Sequence, residues 1–132
     1  MPSAYFETVK TFLLDLGYAI TEEDPAQELV VVRDEDNGIT DLIVDCEDPI
    51  LILEQMILPV PSNPGAMFER LLQMNRTLVH GAFVLDEAAT LVLFLDTLRL
   101  ENLDMNELEG SIEALSLALA ENADELLAFS KQ

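Results

Sequence analysis

The dipeptide Asn37-Gly38 constrains the fold more than any other feature of the sequence, because it separates two apolar runs. Residues 29–33 form the first run and residues 39–46 the second, and both are rich in β-branched side chains, which favour strands. Asn-Gly tolerates positive φ at both residues and is a strong signal for a two-residue hairpin turn. The sequence therefore predicts an antiparallel β-hairpin in this part of the chain.

The register of this hairpin decides which side chains share a face. If Asn37 and Gly38 form the loop of a type I′ turn, Val32 lies opposite Ile43, and side chains two residues apart point to the same side. One face then carries Leu29, Val31, Leu42, Val44 and Cys46. The other face combines aspartates with four apolar side chains. Because its aspartates favour water, we expect those four to be exposed contacts for a protein partner: Val30, Val32, Ile39 and Ile43.

Apolar periodicity and turn residues predict the remaining elements. They are a helix over residues 3–17, a strand over residues 50–58, strands over residues 81–86 and 90–96, and two further helices. The first of these helices begins near residues 63–65, with Asn63 as a candidate N-cap and Pro64 suited to its first turn, and it carries a stripe of Phe68, Leu71, Leu72, Asn75 and Leu78. The last is a long helix opened by Asp104, an N-cap candidate, and Glu107. The order is α-β-β-β-α-β-β-α. It predicts a single α+β domain over residues 1–132, with a mostly antiparallel five-stranded sheet packed with helices.

The charge excludes two classes of partner. The chain has 26 acidic and 6 basic residues and a net charge of −20, which repels phosphate backbones and anionic membranes. No apolar run approaches the roughly 18 residues of a membrane span, and none near the start has the length of a signal peptide. We therefore expect a cytoplasmic protein that binds neither nucleic acid nor membrane.

The residues of common catalytic and metal sites are scarce. Cys46 and His80 are the only cysteine and the only histidine, and Cys46 is predicted on the buried face. Aligning Gly38 with the glycine of a calcium-binding EF-hand loop puts Arg33 at the first ligand position and Val44 where a bidentate Glu belongs. We predict no catalytic residue, cofactor or metal. A small hydrolase using clustered carboxylates or a metal stays open as an alternative from another class.

Apolar strand surface is in surplus. The run over residues 50–58 and the run over residues 91–95 are apolar on both faces, whereas a small sheet covered by helices on one side needs only one such face. The surplus indicates either a second copy of the chain or a bound polypeptide. The alternative is that the chain's own helices cover both faces.

Three stretches resemble the class I type III secretion chaperones, the CesT-like family, and the YbjN-like proteins. They are residues 68–75 with their Leu71-Leu72-Gln73-Met74-Asn75 pattern, the glycine-led pair of strands over residues 81–86 and 90–93, and the closing leucine-rich helix. The resemblance implies a non-enzymatic homodimer, joined through the second helix and neighbouring strands, that holds an extended segment of a secreted effector. We expect its dimer interface at Phe68, Leu71, Leu72 and Leu78. A YbjN-like, stand-alone regulatory or stress-related protein is the alternative within this fold.

Overall fold

The hairpin around Gly38 lies within a larger sheet in a computed structural model, which describes residues 3–131. The elements of the described chain are α1 (Ala4–Asp15), β1 (Ala19–Asp24), β2 (Leu29–Asp34), a 3-10 turn (Glu35–Asn37), β3 (Ile39–Glu47), β4 (Ile50–Pro59), α2 (Met67–Asn75), β5 (Ala82–Leu85), β6 (Leu91–Arg99) and α3 (Met105–Ser130). This confirms the mixed α+β class and the helices packed on an antiparallel sheet. That residues 1–132 form a single domain stays a prediction, and Met1, Pro2 and Gln132 lie outside the described residues.

The sheet has six strands among the described residues, in the order β1-β2-β3-β4-β6-β5, and every neighbouring pair is antiparallel. The five-strand prediction is therefore wrong, and the missed strand is β1. Most of its side chains are exposed, and it ends in three acidic residues, Glu22 to Asp24. An edge strand exposed along most of its length lacks the apolar alternation by which strands are recognised, and its charges discourage pairing with other chains.

The predicted hairpin forms, but with a different turn and register. Residues Glu35–Asn37 make a 3-10 turn, and Gly38 follows it in the left-handed region at φ 79°. A bulge near Val32 shifts the pairing, so that Val32 faces Leu42 and Val31 faces Ile43. Because side chains alternate along a strand, this one-residue shift reverses both faces of β2 relative to β3. Val30 and Val32 thus share a face with Leu42 and Val44.

The hydrophobic core lies between this face, here called the core face, and the three helices of the described chain. Each helix contributes buried side chains to one cluster: Phe6, Val9 and Leu13 from α1; Met67, Leu71 and Met74 from α2; and Leu108, Ile112, Leu115, Ala118, Leu126 and Phe129 from α3. The sheet contributes Val30, Val32, Leu42, Val44, Cys46, Leu51, Leu53, Phe83, Val92 and Phe94, which alternate along their strands. The helices therefore cover one face of the sheet.

The structure confirms the predicted start of α3 but not that of α2. Asp104 caps α3 as expected, since its Oδ1 accepts a hydrogen bond from the Glu107 N–H at 2.8 Å. The second helix begins at Met67, later than predicted, and its N-cap residue Ala66 makes no side-chain cap bond. Asn63 therefore does not cap α2. Pro64 lies before the helix, where its carbonyl accepts a hydrogen bond from the Met67 N–H at 3.0 Å.

Candidate functional site

The second face of the sheet, here called the open face, has no helix packed on it in the described chain. None of its side chains belongs to the core cluster or packs against that cluster. Its cross-strand pairs include Val31 with Ile43 and Glu54 with Leu95. The apolar side chains of the open face are Leu29, Val31, Ile43, Ile50, Ile52, Met56, Val84, Leu91, Leu93 and Leu95. Most are half-buried by their neighbours, and Met56 is 51 % exposed. A broad apolar surface is thus left without cover from the chain's own helices.

A groove of about 380 Å³ crosses the open face. Its lining combines apolar side chains with carboxylates: Glu22, Val31, Thr40, Asp41, Ile43, Glu54, Met56, Leu91 and Leu93. Arg33 lies at the hairpin end of the face, where its guanidinium is already engaged by Glu35 at 3.3 Å and Asp41 at 3.2 Å. The groove therefore suits an apolar segment whose flanking residues are basic.

Asp45 occupies an unusual position on the open face. It lies between Leu29 of β2 and Ile52 of β4, which are its direct cross-strand neighbours. Its Oδ1 atom is buried and has no hydrogen-bond partner. The pKa of the Asp45 carboxyl is raised to about 6, and burial is the largest cause. The negative charges of Glu47 and Glu54 and a hydrogen bond shared with Glu47 act in the same direction. A carboxyl group within an apolar row is therefore poised to change charge near neutral pH.

The predicted exposed contacts fall on two different faces. Val30 and Val32 are fully buried on the core face, and Ile39 is 1 % exposed, so the expectation that these three are exposed is wrong. The reason is the register shift in the hairpin, which turns β2 over relative to the predicted pairing. Ile43 alone of the four lies half-buried on the open face. Sequence reasoning missed Met56 and Leu93 there, although the two-sided apolar runs over residues 50–58 and 91–95 already indicated apolar side chains on both faces.

The four residues predicted for a dimer interface lie at and beside α2. Phe68, Leu71 and Leu72 line an apolar groove of about 400 Å³ between α2 and β5, here called the α2–β5 groove. Leu72 is 69 % exposed and Phe68 37 %, whereas Leu71 is buried. Asn75, Phe83, Val84 and Leu85 complete the lining. Leu78 lies after the end of α2 and packs, half-buried, against the core. The helix thus presents a second apolar surface, with no ionisable side chain in its lining.

The candidate nucleophile and metal ligands are not assembled into a site. Burial raises the pKa of the Cys46 thiol to about 12, which disfavours the reactive thiolate, and His80 is exposed in the loop before β5. Among residues 3–131 no group of three or more His, Cys, Asp and Glu side chains is arranged to hold a metal ion. In the same part of the chain, no helix is long and apolar enough to cross a membrane.

Several solved structures share the fold, including the following three. YbjN from E. coli superposes with a TM-score of 0.69 at 19 % identity, over 90 % of this chain and 91 % of YbjN. A chain of the HopA1–SchA chaperone–effector complex superposes with a TM-score of 0.63 at 15 % identity, over 97 % of this chain and 94 % of that chain. The structure of the Yersinia pestis type III secretion chaperone SycH, in complex with a stable fragment of YscM2, superposes with a TM-score of 0.58 at 14 % identity. The superposition covers 96 % of this chain and 100 % of that chain. At these identities the likeness shows the fold alone.

Comparison with curated proteins gives no match. The family model CesT_Tir_1, in contrast, matches residues 2–132, which is nearly the whole sequence. This match agrees with the sequence resemblance and with the superpositions. The chain belongs to the CesT_Tir_1 family.

Proposed function

We propose that the protein is a non-enzymatic, polypeptide-binding chaperone of the cytoplasm that holds an extended segment of a partner protein against its open face. The observation that carries this proposal is the one-sided placement of the helices, because side chains such as Ile43 and Leu93 remain outside the core cluster. The family match and the fold likeness to the chaperone chains of two complexes support the same function.

An extended segment fits this surface better than a folded domain does. The groove runs across neighbouring strands, and an extended chain presents alternate side chains to one side. Burying those side chains against Val31, Ile43 and Met56 stabilises the complex through the hydrophobic effect. No covalent step is required for such binding.

The charge of the surface selects the partner segment. The groove contains Glu22, Asp41 and Glu54, and the whole chain carries a net charge of −20. Lysine or arginine residues beside the apolar positions of the partner gain favourable contacts with these carboxylates, whereas acidic segments are repelled. We therefore propose an apolar segment with basic flanks.

The α2–β5 groove is the surface we propose for a homodimer. Its lining has no ionisable side chain, whereas the open face carries at least five carboxylates. Two chains of charge −20 repel each other, so self-association requires a contact where that repulsion is weakest. The exposed side chains of Phe68 and Leu72 supply apolar area at such a contact.

The function is tested with a synthetic peptide of about ten residues, long enough to span the groove, with valine at alternate positions, threonine between them and a lysine at each end. Fluorescence anisotropy of the labelled peptide measures its binding. We expect Ile43→Asp to weaken binding at least tenfold, because it replaces an apolar side chain of the groove with a charged one that the bound segment would cover. The matched control is Leu117→Asp, which changes a 54 % exposed leucine of α3 and should bind like the wild type. Unchanged binding by a folded Ile43→Asp protein would show that the open face is not the binding surface.

A YbjN-like, stand-alone regulatory role is the second candidate, and the fold likeness to YbjN supports it. Both candidates use the same open face, and they differ in the partner. A chaperone for secretion binds the unfolded segment of an exported protein and leaves the rest of that protein free. Co-purification from the native host, followed by identification of the bound protein, separates a secreted partner from a resident cellular one.

A further inference from the structure

Within the open face, two carboxylates lie between two apolar cross-strand neighbours: Glu54, between Ile43 and Leu95, and Asp45. Among the described residues, only Asp45 also has a buried side-chain oxygen without a hydrogen-bond partner. Leu29 and Ile52 flank it on β2 and β4, so a segment that covers this row also covers Asp45. Its Oδ1 atom is already out of contact with water and lacks a hydrogen-bond donor. Covering the rest of an ionised carboxylate removes its remaining hydration and is costly unless a partner supplies a cation.

The charged groups around Asp45 favour its protonated form. Glu47 follows it on the same face of β3, and Glu54 lies diagonally across on β4; both raise its pKa. On β2 the paired residue is Leu29, and the adjacent row holds Val31, so no ionisable side chain of β2 directly faces Asp45. Asp24 pairs with Leu29 from β1, and Arg99 of β6 pairs with Ile50. In this arrangement, the neighbouring charges that act on Asp45 are negative.

We propose that Asp45 is a proton-dependent switch in the open face, which binds an extended partner segment more tightly when the Asp45 carboxyl is protonated than when it is ionised. The inference rests on the proposed function and adds its regulation. The occupant is an extended segment that presents uncharged, apolar side chains to the row of Leu29, Asp45 and Ile52. Protonation removes the charge and lets Asp45 donate a hydrogen bond to Glu47. The row then becomes an apolar strip that a partner covers without burying an isolated charge.

The direction of the effect follows from linkage. Because the partner favours the protonated form, its binding takes up a proton, and affinity falls as pH rises through the pKa of about 6. If only the protonated form binds, the dissociation constant increases by up to about 30-fold between pH 5 and pH 7.5. Partial tolerance of the ionised form reduces this to a several-fold change.

The test uses the valine–threonine peptide described above, with blocked ends and a rhodamine label. The lysine charges stay constant between about pH 5 and pH 8, so the pH dependence comes from the protein. Anisotropy titrations at constant ionic strength should show weaker binding by the wild type as pH rises, with a midpoint near pH 6. Asp45→Asn should bind at every pH as tightly as the wild type binds at pH 5. Asp45→Ser gives a second uncharged variant in case the asparagine side chain disturbs packing.

Two controls separate the effect of Asp45 from that of other ionisable side chains. Asp41→Asn removes an exposed carboxylate that lines the groove of the open face, and it should retain the pH dependence of affinity seen in the wild type. His80→Gln removes the only histidine and should also retain the pH dependence of affinity.

The proposal is overturned if affinity rises with pH, or if the pH dependence of affinity persists in both Asp45 variants. Affinity that rises with pH would indicate a cationic contact. Peptide binding without any pH dependence refutes the switch but leaves the proposed function standing. Absence of peptide binding at every pH refutes both.

Discussion

Asn75 binds both backbone polar groups of Phe83 with a single side chain. Its Nδ2 donates to the Phe83 carbonyl at 3.1 Å, and its Oδ1 accepts from the Phe83 N–H at 2.8 Å. Phe83 lies in β5, an edge strand of the sheet, so these two groups would otherwise point away from the sheet and be open to another strand. The amide at the end of α2 thus takes the place of a neighbouring strand and closes this edge.

Asn75→Ala is expected to destabilise the fold by about 1–3 kcal/mol, because it leaves the two backbone groups of a buried residue without partners. Chemical denaturation monitored by circular dichroism measures the change in the free energy of unfolding. The matched control is Asn63→Ala, which changes an exposed asparagine in the loop before α2 and should have little effect. Equal stability of the two variants would show that the Asn75 contacts contribute nothing.

The elements that are predictable from the sequence are those with strong apolar periodicity or a distinctive turn. The central hairpin, α1 and the capped start of α3 all follow from local patterns. Strand β1 does not, because an exposed edge strand ending in Glu22, Glu23 and Asp24 has no buried face to impose alternation. Its position depends on pairing with β2, which is a tertiary effect.

The candidate site was only partly predictable for a different reason. The loop between the paired residues Asp34 and Ile39 has four residues, two more than a type I′ loop, and together with the bulge near Val32 it exchanges the faces of β2. Local sequence does not distinguish the two turns, since Gly38 adopts positive φ in both. The two-sided apolar runs over residues 50–58 and 91–95 correctly predict a surplus of apolar strand surface, but Val30, Val32 and Ile39 are buried in the core and not exposed on that surface.

Gly81→Ala is expected to destabilise the protein by about 2–4 kcal/mol, from left-handed backbone strain plus overpacking. Gly81 has φ +73°, and an added Cβ would overlap the ring of Phe94, which is buried and packed edge-on against Phe83. Gly65→Ala is the matched control, since Gly65 also has positive φ, at +56°, but has open space around the Cβ position. Thermal unfolding should therefore show a larger loss for Gly81→Ala. Equal losses would mean that the Phe94 ring moves aside at no cost.

Gly110→Ala is expected to stabilise the protein by about 0.5–1 kcal/mol. Gly110 lies inside α3, and an added Cβ would meet no atom within 4 Å. Glycine in a helix interior costs more backbone entropy than alanine does. An increase in the midpoint of thermal unfolding checks this, and a decrease would indicate that α3 requires the glycine for a contact with a partner or a second copy.

Leu72→Asp is expected to convert the proposed homodimer to a monomer without unfolding the protein. Leu72 is largely exposed in the α2–β5 groove, so the substitution costs little in the monomer, but it buries a charge in the proposed interface. Light scattering after size-exclusion chromatography measures the mass. Leu117→Asp on α3 is the control and should keep the mass of the wild type. A dimer that persists in Leu72→Asp would place the interface elsewhere.

Asp45→Asn is expected to raise stability at pH 7.5 by roughly 1–2 kcal/mol after allowance for solvent screening, although it removes a charged residue from the surface. In the folded protein the pKa of Asp45 is raised from 3.8 to about 6, so the folded state binds a proton more tightly than the unfolded state does. The stability of the wild type therefore falls as pH rises from about 4 to about 6, and the cost is fully present above that range. Asparagine avoids this cost at every pH.

The difference between Asp45→Asn and the wild type should consequently shrink as pH falls and vanish below about pH 4, where Asp45 is protonated in both states. Urea denaturation at several pH values measures it, with Asp41→Asn as the control for an exposed carboxylate of the same strand. A stability difference that is constant with pH would mean that Asp45 is as well solvated as an ordinary surface carboxylate. In that case the apolar row around it is open to water, and covering it with a partner would not depend on its proton.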